Sequence, residues 1–537
     1  MMTLLRPYLL LTLCALLLFA PGIARIPVID RDEAHFAQAS RQMLETGQYF
    51  AVRFQDTTRF QKPPGINWLQ AASVKLTGSP VDSIYAYRLP SFLGALFSLW
   101  LLYGFSRTYA GERVAFMAAL LLASTLLLNV EARMAVIDSA LLATVILMQG
   151  ALWRIWNAAR AGQPVLSWHV WLFWCAMAAG GALKGVSPLF GGLTIAALSL
   201  LERDVHWIRA LRPVRGLLLL GVLTLLWLWP LSVAEGRNYL MEMLNRDLLP
   251  KLRGGHESHG KPPLFHLAIL PLTFWPASIF LWQGATHAIR ERCTPQVRFL
   301  LAWLVPAWIF FELMPTKLPQ YVLPTFPAIA LLCAASLQAP LAKPRVFRVL
   351  LLLWGVLSLG LAMVPAALSW RLLDTLLPAA LISGVGVLFY VMLAVWFSWR
   401  LEFKRTLCAI LVAAFFLYAP LYSKVLPVLA PLWLPDAIGA HYPMSTKTPL
   451  WVAGFEEPSL VFVLGTKNVR FVSVKEALAA LEAGQVESVL VQDSVLNAIE
   501  PLPRGLMVKW RERGFNYSKG RFVEVLLLKK ENMHDTL

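Results

Sequence analysis

Long apolar runs alternate with short polar loops along most of this chain. Runs long enough to cross a bilayer, about 17–25 residues, fall near 5–24, 88–109, 113–130, 137–157, 168–183, 186–202, 214–233, 265–284, 296–313, 319–338, 346–369, 374–398 and 405–427. The pattern predicts roughly 13 transmembrane helices. Two stretches interrupt it, a first polar loop at 25–87 and a second at 234–264. In the first loop, Phe36, Ala39, Met43 and Leu44 repeat at helical spacing within Glu33–Glu45, and Trp68, Leu69 and Ala72 do so within Ile66–Leu76. Both segments are expected to be amphipathic helices at the membrane surface. Beyond about residue 440 the runs shorten. Trp451–Phe455, Val469–Val474, Ser488–Gln492 and Phe522–Leu528 have the pattern of strands, and Pro458–Gly465 and Val474–Ala483 that of helices. The expected architecture is mostly α, a polytopic membrane domain over residues 1–435 followed by a small α/β domain over 440–537.

Composition agrees with this pattern. Hydrophobic residues make up 58% of the chain and charged residues 15%, and the mean hydropathy is +0.60. Soluble domains are about 45–50% apolar and about 25% charged. The net charge of +17 does not point to nucleic acid, because the basic residues lie in short loops between apolar runs. Those residues also orient the chain. One alternate set of loops holds Arg107, Arg113, Arg154, Arg160, Arg203, Arg209, Arg212, Arg215, Arg290, Arg292 and Arg298. The opposite short loops hold little beyond Arg133, Lys184, Lys317 and Arg371. The N-terminus is therefore expected in the cytoplasm, with the first apolar run as an uncleaved span rather than a signal peptide. The five cysteines fall in or beside apolar runs without paired spacing, so they read as packing residues.

Sorted by side, Asp32, Lys62, Asp138, Lys184, the 234–264 loop and Lys317 all fall on the outer face. Acids at membrane mouths are costly and mark functional sites. Asp32 and Glu33 either cap the helix that follows or supply a base for an attacking hydroxyl. Lys62, in Lys62-Pro63-Pro64, either snorkels to headgroups or holds a lipid-linked phosphate as a point charge on a rigid corner. Asp138, with Arg133 nearby, either caps its helix or positions substrate. Lys184, Lys317 and Tyr321 stand where an anionic headgroup would enter. His256, Glu257 and His259 are weakly specific candidates for a divalent metal.

Taken in order, these residues resemble the aminoarabinose transferase family of bacterial membrane glycosyltransferases, which is related to the protein O-mannosyltransferases. The strings that carry the resemblance are DEAHFAQASRQMLETGQYF at 32–50, FQKPPGINWL at 60–69, GGHESHGKPP at 254–263 and TKLPQYVLP at 316–324. Two shorter ones, AVIDSALL at 135–142 and LKG at 183–185, lie between them. The resemblance implies a GT-C-type fold and a sugar donor on polyprenyl phosphate. It implies an extracytoplasmic glycolipid or polymer as acceptor, lipid A in the best-known members. Asp32 and Asp138, with Glu33 beside them, match the acids of the reacting centre. Lys62 matches the donor-phosphate lysine, with Lys184, Lys317 and Arg133 as further phosphate ligands. His35, His256, Glu257, His259 and Tyr321 fall to the acceptor side and its loop. No cofactor is required, because the donor linkage carries the energy. The chain departs from the family with His35-Phe36 in place of Arg-Tyr and with Gln61 in place of Glu, which leaves sugar and acceptor open. The competing readings are a flippase for lipid-linked sugars, which would place charges at mid-membrane in repeated, broken helices, a protein O-glycosyltransferase, and a non-catalytic scaffold.

Overall fold

The computed structural model describes residues 2–249, 260–341, 343–442, 448–496 and 505–530. Each expected apolar run is occupied by a helix or a broken helix pair. Among the described residues seven helices are long and apolar enough to cross a membrane, or eight if the bent pair Phe265–Thr273 with Ala277–Arg290 is one span. The remaining runs form shorter or interrupted helices, fewer full spans than the hydropathy pattern predicts. Local chemistry explains the breaks. Thr125 is extended between α5 (Glu112–Ser124) and α6 (Leu126–Glu131). Pro271 and Pro276 flank the bend of 112° in the 265–290 pair.

The helices that bear on the candidate site are α1 (Met2–Phe19), α4 (Ile84–Ala110), α7 (Asp138–Arg160), α8 (Ser167–Leu183), α9 (Pro188–Glu202) and α10 (Pro213–Glu235). Burial sorts them. Within its apolar window α7 is 72% buried, whereas α10 is 11% buried and turns its leucines outward to lipid. A side chain at Gly94 would meet the α7 backbone at Ala140, 2.6 Å away, so this glycine permits α4 and α7 to pack closely. At its 1.5 Å rise per residue α7 spans about 34 Å, so its two ends lie on opposite membrane faces. At the far end, Arg160 at the foot of α7 and Arg298 both pair with Glu202 at the foot of α9. These pairs bring two of the basic loops together at that end.

A helix is present at both expected places in the first loop, α2 (Asp32–Thr46), most of which is buried within the protein, and α3 (Gly65–Thr77). Between them lies a short hairpin, β1 (Arg53–Phe54) and β2 (Thr57–Thr58). The C-terminal region is a five-stranded mixed sheet in the order β4-β3-β5-β7-β6. Its strands are β3 (Leu450–Ala453), β4 (Val469–Phe471), β5 (Ser488–Gln492), β6 (Leu506–Asn516) and β7 (Arg521–Lys530). β3, β4 and β5 run parallel, and β6 and β7 form an antiparallel hairpin against β5. The expected strands and both expected helices are found. β6 is an addition, an edge strand whose Lys509, Arg511, Glu512 and Arg513 hide its strand character in sequence. One face of the sheet packs on Pro458–Leu464 and Leu434–His441, and the other packs on Val474–Glu482.

Candidate functional site

The site begins at the corner where α3 starts. A side chain at Gly65 would meet the Ala182 carbonyl oxygen at 2.5 Å, so the Lys62-Pro63-Pro64-Gly65 corner presses on the last turn of α8. Lys184 follows directly after that turn. The close approach places Lys62 and Lys184 in the wall of one cavity of about 190 Å³, with Gln61, Tyr321 and an apolar lining that includes Val186, Met243 and Phe311. Two lysines in the wall of a mostly apolar pocket suit a phosphate that carries a hydrocarbon chain.

Lys184 and Asp138 are 2.8 Å apart, Nζ to Oδ1. Asp138 is the first residue of α7, and its carboxylate accepts from the Lys184 ammonium. The Tyr321 ring lies 4.9 Å from the same ammonium. Burial works against the charge on Lys184, but Asp138, Tyr321 and Glu131 outweigh it and hold the ammonium above its ordinary range. Glu131, the buried last residue of α6, is within electrostatic reach of Asp138, Lys184 and Asp32. Sequence reasoning did not single it out, although an acid ending an apolar run is the same signal that marked Asp138.

Asp32 and Glu33 separate completely. Asp32 opens α2, is exposed, and makes no side-chain hydrogen bond among the described residues. Glu33 is fully buried, and both of its oxygens are engaged. Oε1 accepts from Arg88 Nε at 2.8 Å and from the Ala135 amide at 2.7 Å. Oε2 accepts from Arg88 Nη2 at 2.9 Å and from the Ile29 amide at 2.8 Å. The expected catalytic part for Glu33 is thus corrected, since a carboxylate with four donors and no exposure reaches no substrate. It fixes the first loop to α4 and to the segment before α7.

Three further expectations change. Arg133 does not face a donor phosphate. Its guanidinium caps the carbonyls of Leu18, Pro21 and Asn129 and lies 4.3 Å over the Tyr422 ring, which ties the end of α1 to α6. Lys317 is buried and donates to the carbonyls of Met314 at 2.6 Å and Lys261 at 3.1 Å, so it staples the second outer loop to the end of a helix. His35 packs edge-on against Phe54, away from the cavity lining. Burial, then the charges of Arg59 and Arg31, lower its pKa to about 3, so it carries no charge at neutral pH. His256, Glu257 and His259 lie outside the described residues. Among the described residues no group of three His, Cys, Asp or Glu side chains is placed to hold a metal ion.

The family profile for dolichyl-phosphate-mannose-protein mannosyltransferase matches residues 61–231, a stretch that includes Lys62, Glu131, Asp138 and Lys184. The undecaprenyl phosphate-alpha-4-amino-4-deoxy-L-arabinose arabinosyl transferase of Pseudomonas aeruginosa is 28% identical over 365 residues. The chain is similar to the aminoarabinose transferases. The match covers 66% of this chain and 64% of that protein, so it spans just under two thirds of the relative's length. The Pectobacterium atrosepticum enzyme of the same name is 28% identical over 349 residues, 62% of this chain and 60% of its own. The fold is shared over almost the whole chain. The crystal structure of ArnT from Cupriavidus metallidurans bound to undecaprenyl phosphate superposes with a TM-score of 0.74 at 19% identity, covering 97% of each chain. The protein is thus a polytopic membrane protein of the GT-C fold.

Proposed function

We propose that this chain is a membrane glycosyltransferase that moves a sugar from a polyprenyl phosphate, undecaprenyl phosphate in the first instance, to an extracytoplasmic acceptor. The observation that carries the reading is the single cavity lined by Lys62 and Lys184 together with apolar side chains. The relatives' names, which specify undecaprenyl-phosphate-linked aminoarabinose as donor, support the same choice. The acceptor is lipid A or another envelope glycolipid. The chain sits in the bacterial inner membrane, with the N-terminus cytoplasmic and the site and C-terminal region periplasmic, as the basic loops indicate.

In this reading the donor phosphate rests against the ammonium groups of Lys62 and Lys184. Asp138 holds Lys184 in place, and Tyr321 packs over it. The acceptor hydroxyl attacks the anomeric carbon from the side opposite the phosphate and gives its proton to Asp32. The bond between the anomeric carbon and the phosphate oxygen breaks, and its electron pair leaves with the polyprenyl phosphate. The two lysines neutralise the charge that develops there. One displacement inverts the anomeric configuration. An acceptor phosphate, already ionised, would need positioning alone. The energy lies in the donor linkage, so no nucleotide and no cofactor enters the reaction. A flippase is disfavoured because the cavity's charges sit at the outer mouths of helices rather than at mid-span.

Mass spectrometry of envelope glycolipids from cells lacking the gene tests this reading. A sugar-sized mass loss, restored by the intact gene, identifies the acceptor class. An unchanged glycolipid profile rules out the glycolipid acceptor.

A further inference from the structure

Asp30, Arg31 and Asp32 are consecutive, yet their side chains do different work. The Asp30 carboxylate is buried against the C-terminal region. Its Oδ1 accepts from the Ser459 amide at 3.0 Å, and its Oδ2 accepts from the Ser459 hydroxyl at 2.6 Å. Arg31, the residue before α2, has φ of 66° and ψ of −114°, which L side chains rarely adopt. Such a conformation persists when its surroundings over-determine it. Here the surroundings are visible. Arg31 Nε donates to the Ser518 hydroxyl at 3.3 Å, and Nη2 donates to the Ser518 carbonyl at 3.2 Å. The Ser518 hydroxyl donates in turn to Glu457 Oε2 at 2.9 Å, and Glu457 stands in the same segment as Ser459. The bonds of Asp30 and Arg31 thus meet the C-terminal region right beside Asp32.

The contact continues along α2. Gln38 Nε2 donates to the Thr466 hydroxyl at 2.8 Å, and that hydroxyl donates to Glu45 at 2.6 Å. Arg41 donates to the Phe462 carbonyl at 2.5 Å. One side of the helix that begins with Asp32 is therefore held by the C-terminal region from end to end. Lys62 and Lys184, by contrast, are set by the contact of α3 on α8.

We propose that the C-terminal region is a positioning element for the reaction: through Asp30 and Arg31 it fixes the start of α2 and so the aim of the Asp32 carboxylate. The proposal rests on the transfer reaction described above and adds to it a function for the sheet domain. Asp30 and Arg31 are positioning residues. They touch no reacting atom and act through Asp32.

The test uses the full-length protein carrying Ser459→Ala and Ser518→Ala, which removes docking bonds on the domain side and leaves Asp30, Arg31 and Asp32 unchanged. Turnover is measured with undecaprenyl phosphate-linked 4-amino-4-deoxy-L-arabinose, and binding with undecaprenyl phosphate. The expected result is a fall in kcat on the order of 10- to 100-fold, since misplacement by about an ångström costs that much, with an unchanged Kd for undecaprenyl phosphate. A short bis-methanethiosulfonate cross-link between Gln38→Cys and Thr466→Cys, added to the same variant, restores kcat by closing the neighbouring contact covalently, and reduction removes the rescue. An unchanged kcat, or a kcat that the cross-link does not restore, overturns the proposal. Wild-type protein that transfers nothing from this donor counts against the reaction itself. In that case docking is read from how fast the same reagent bridges the two introduced thiols, from Gln38→Cys and Thr466→Cys. Slower bridging in the alanine variant upholds the clamp, and equal rates reject it.

Discussion

Glu33 and Arg88 form a bidentate ion pair with no solvent exposure on either side chain, Nε to Oε1 at 2.8 Å and Nη2 to Oε2 at 2.9 Å. The remaining Arg88 donors reach the carbonyls of Ile23, Ile26 and Pro27. Breaking such a pair from one side strands a buried charge and costs about 3–5 kcal/mol. Glu33→Gln is therefore expected to lower the midpoint of thermal unfolding in detergent. A Glu33→Gln protein as stable as wild type would show that the pair contributes little.

The neighbouring acid behaves in the opposite way. Asp32 is exposed and makes no side-chain hydrogen bond among the described residues, so Asp32→Asn leaves unfolding unchanged. It removes the base, and kcat falls on the order of 10²- to 10⁴-fold. Activity within a few-fold of wild type would reassign the proton acceptor, with Asp138 and Glu131 the next carboxylates to test.

The lysines divide by location. Lys62→Ala and Lys184→Ala remove cavity charges, and each is expected to weaken undecaprenyl phosphate binding by about 1.5–3 kcal/mol, or roughly tenfold to a hundredfold. Lys317→Ala removes a staple between backbone carbonyls and should lower stability while leaving that affinity intact. Equal affinity losses in all three variants would place Lys317 at the phosphate as well.

Docking of the C-terminal region should depend on pH through Glu457. Burial, then the Asp30 charge beside it, pushes its carboxyl up from 4.5 to about 8. Arg31 and the Ser518 hydroxyl face the same group and favour its ionised form, and Tyr517 lies near Asp30. The folded protein holds a proton that the unfolded chain has released, so the contribution is fully present below about 4.5. It is lost progressively as pH rises to about 8 and is level above that. Glu457→Gln should flatten this dependence. Unfolding midpoints that fall equally in wild type and Glu457→Gln would assign the effect to other groups.

The reaction as proposed needs no metal. Transfer measured after exhaustive chelation is expected to match the untreated enzyme. Activity lost on chelation and regained with a divalent ion would bring His256, Glu257 and His259 into the chemistry.

Much of this was legible in the chain because a bilayer imposes length and polarity on whatever crosses it. Each apolar run is occupied by a helix or a broken helix pair, and Lys62 and Lys184 meet in one cavity wall. The choice among neighbouring acids was not legible. Whether Asp30, Asp32 or Glu33 reaches solvent depends on Ser459 and Arg88, which the fold brings in from far along the chain. Arg133 and Lys317 had the composition of phosphate ligands, but nearby carbonyls took their donors. Gln61 and His35 mark the departures from the related enzymes. The first lines the cavity, and the second is half-buried and neutral, so neither adds charge to the site.

The central claim is that one cavity binds a polyprenyl phosphate while Asp32 carries out the transfer. The most direct test compares purified wild type, Asp32→Asn and Lys62→Ala for undecaprenyl phosphate binding and for turnover of its aminoarabinose-linked form. The account predicts that Asp32→Asn binds like wild type without turning over, and that Lys62→Ala loses binding. Undecaprenyl phosphate bound equally by all three, with no sugar transferred by wild type, would contradict it.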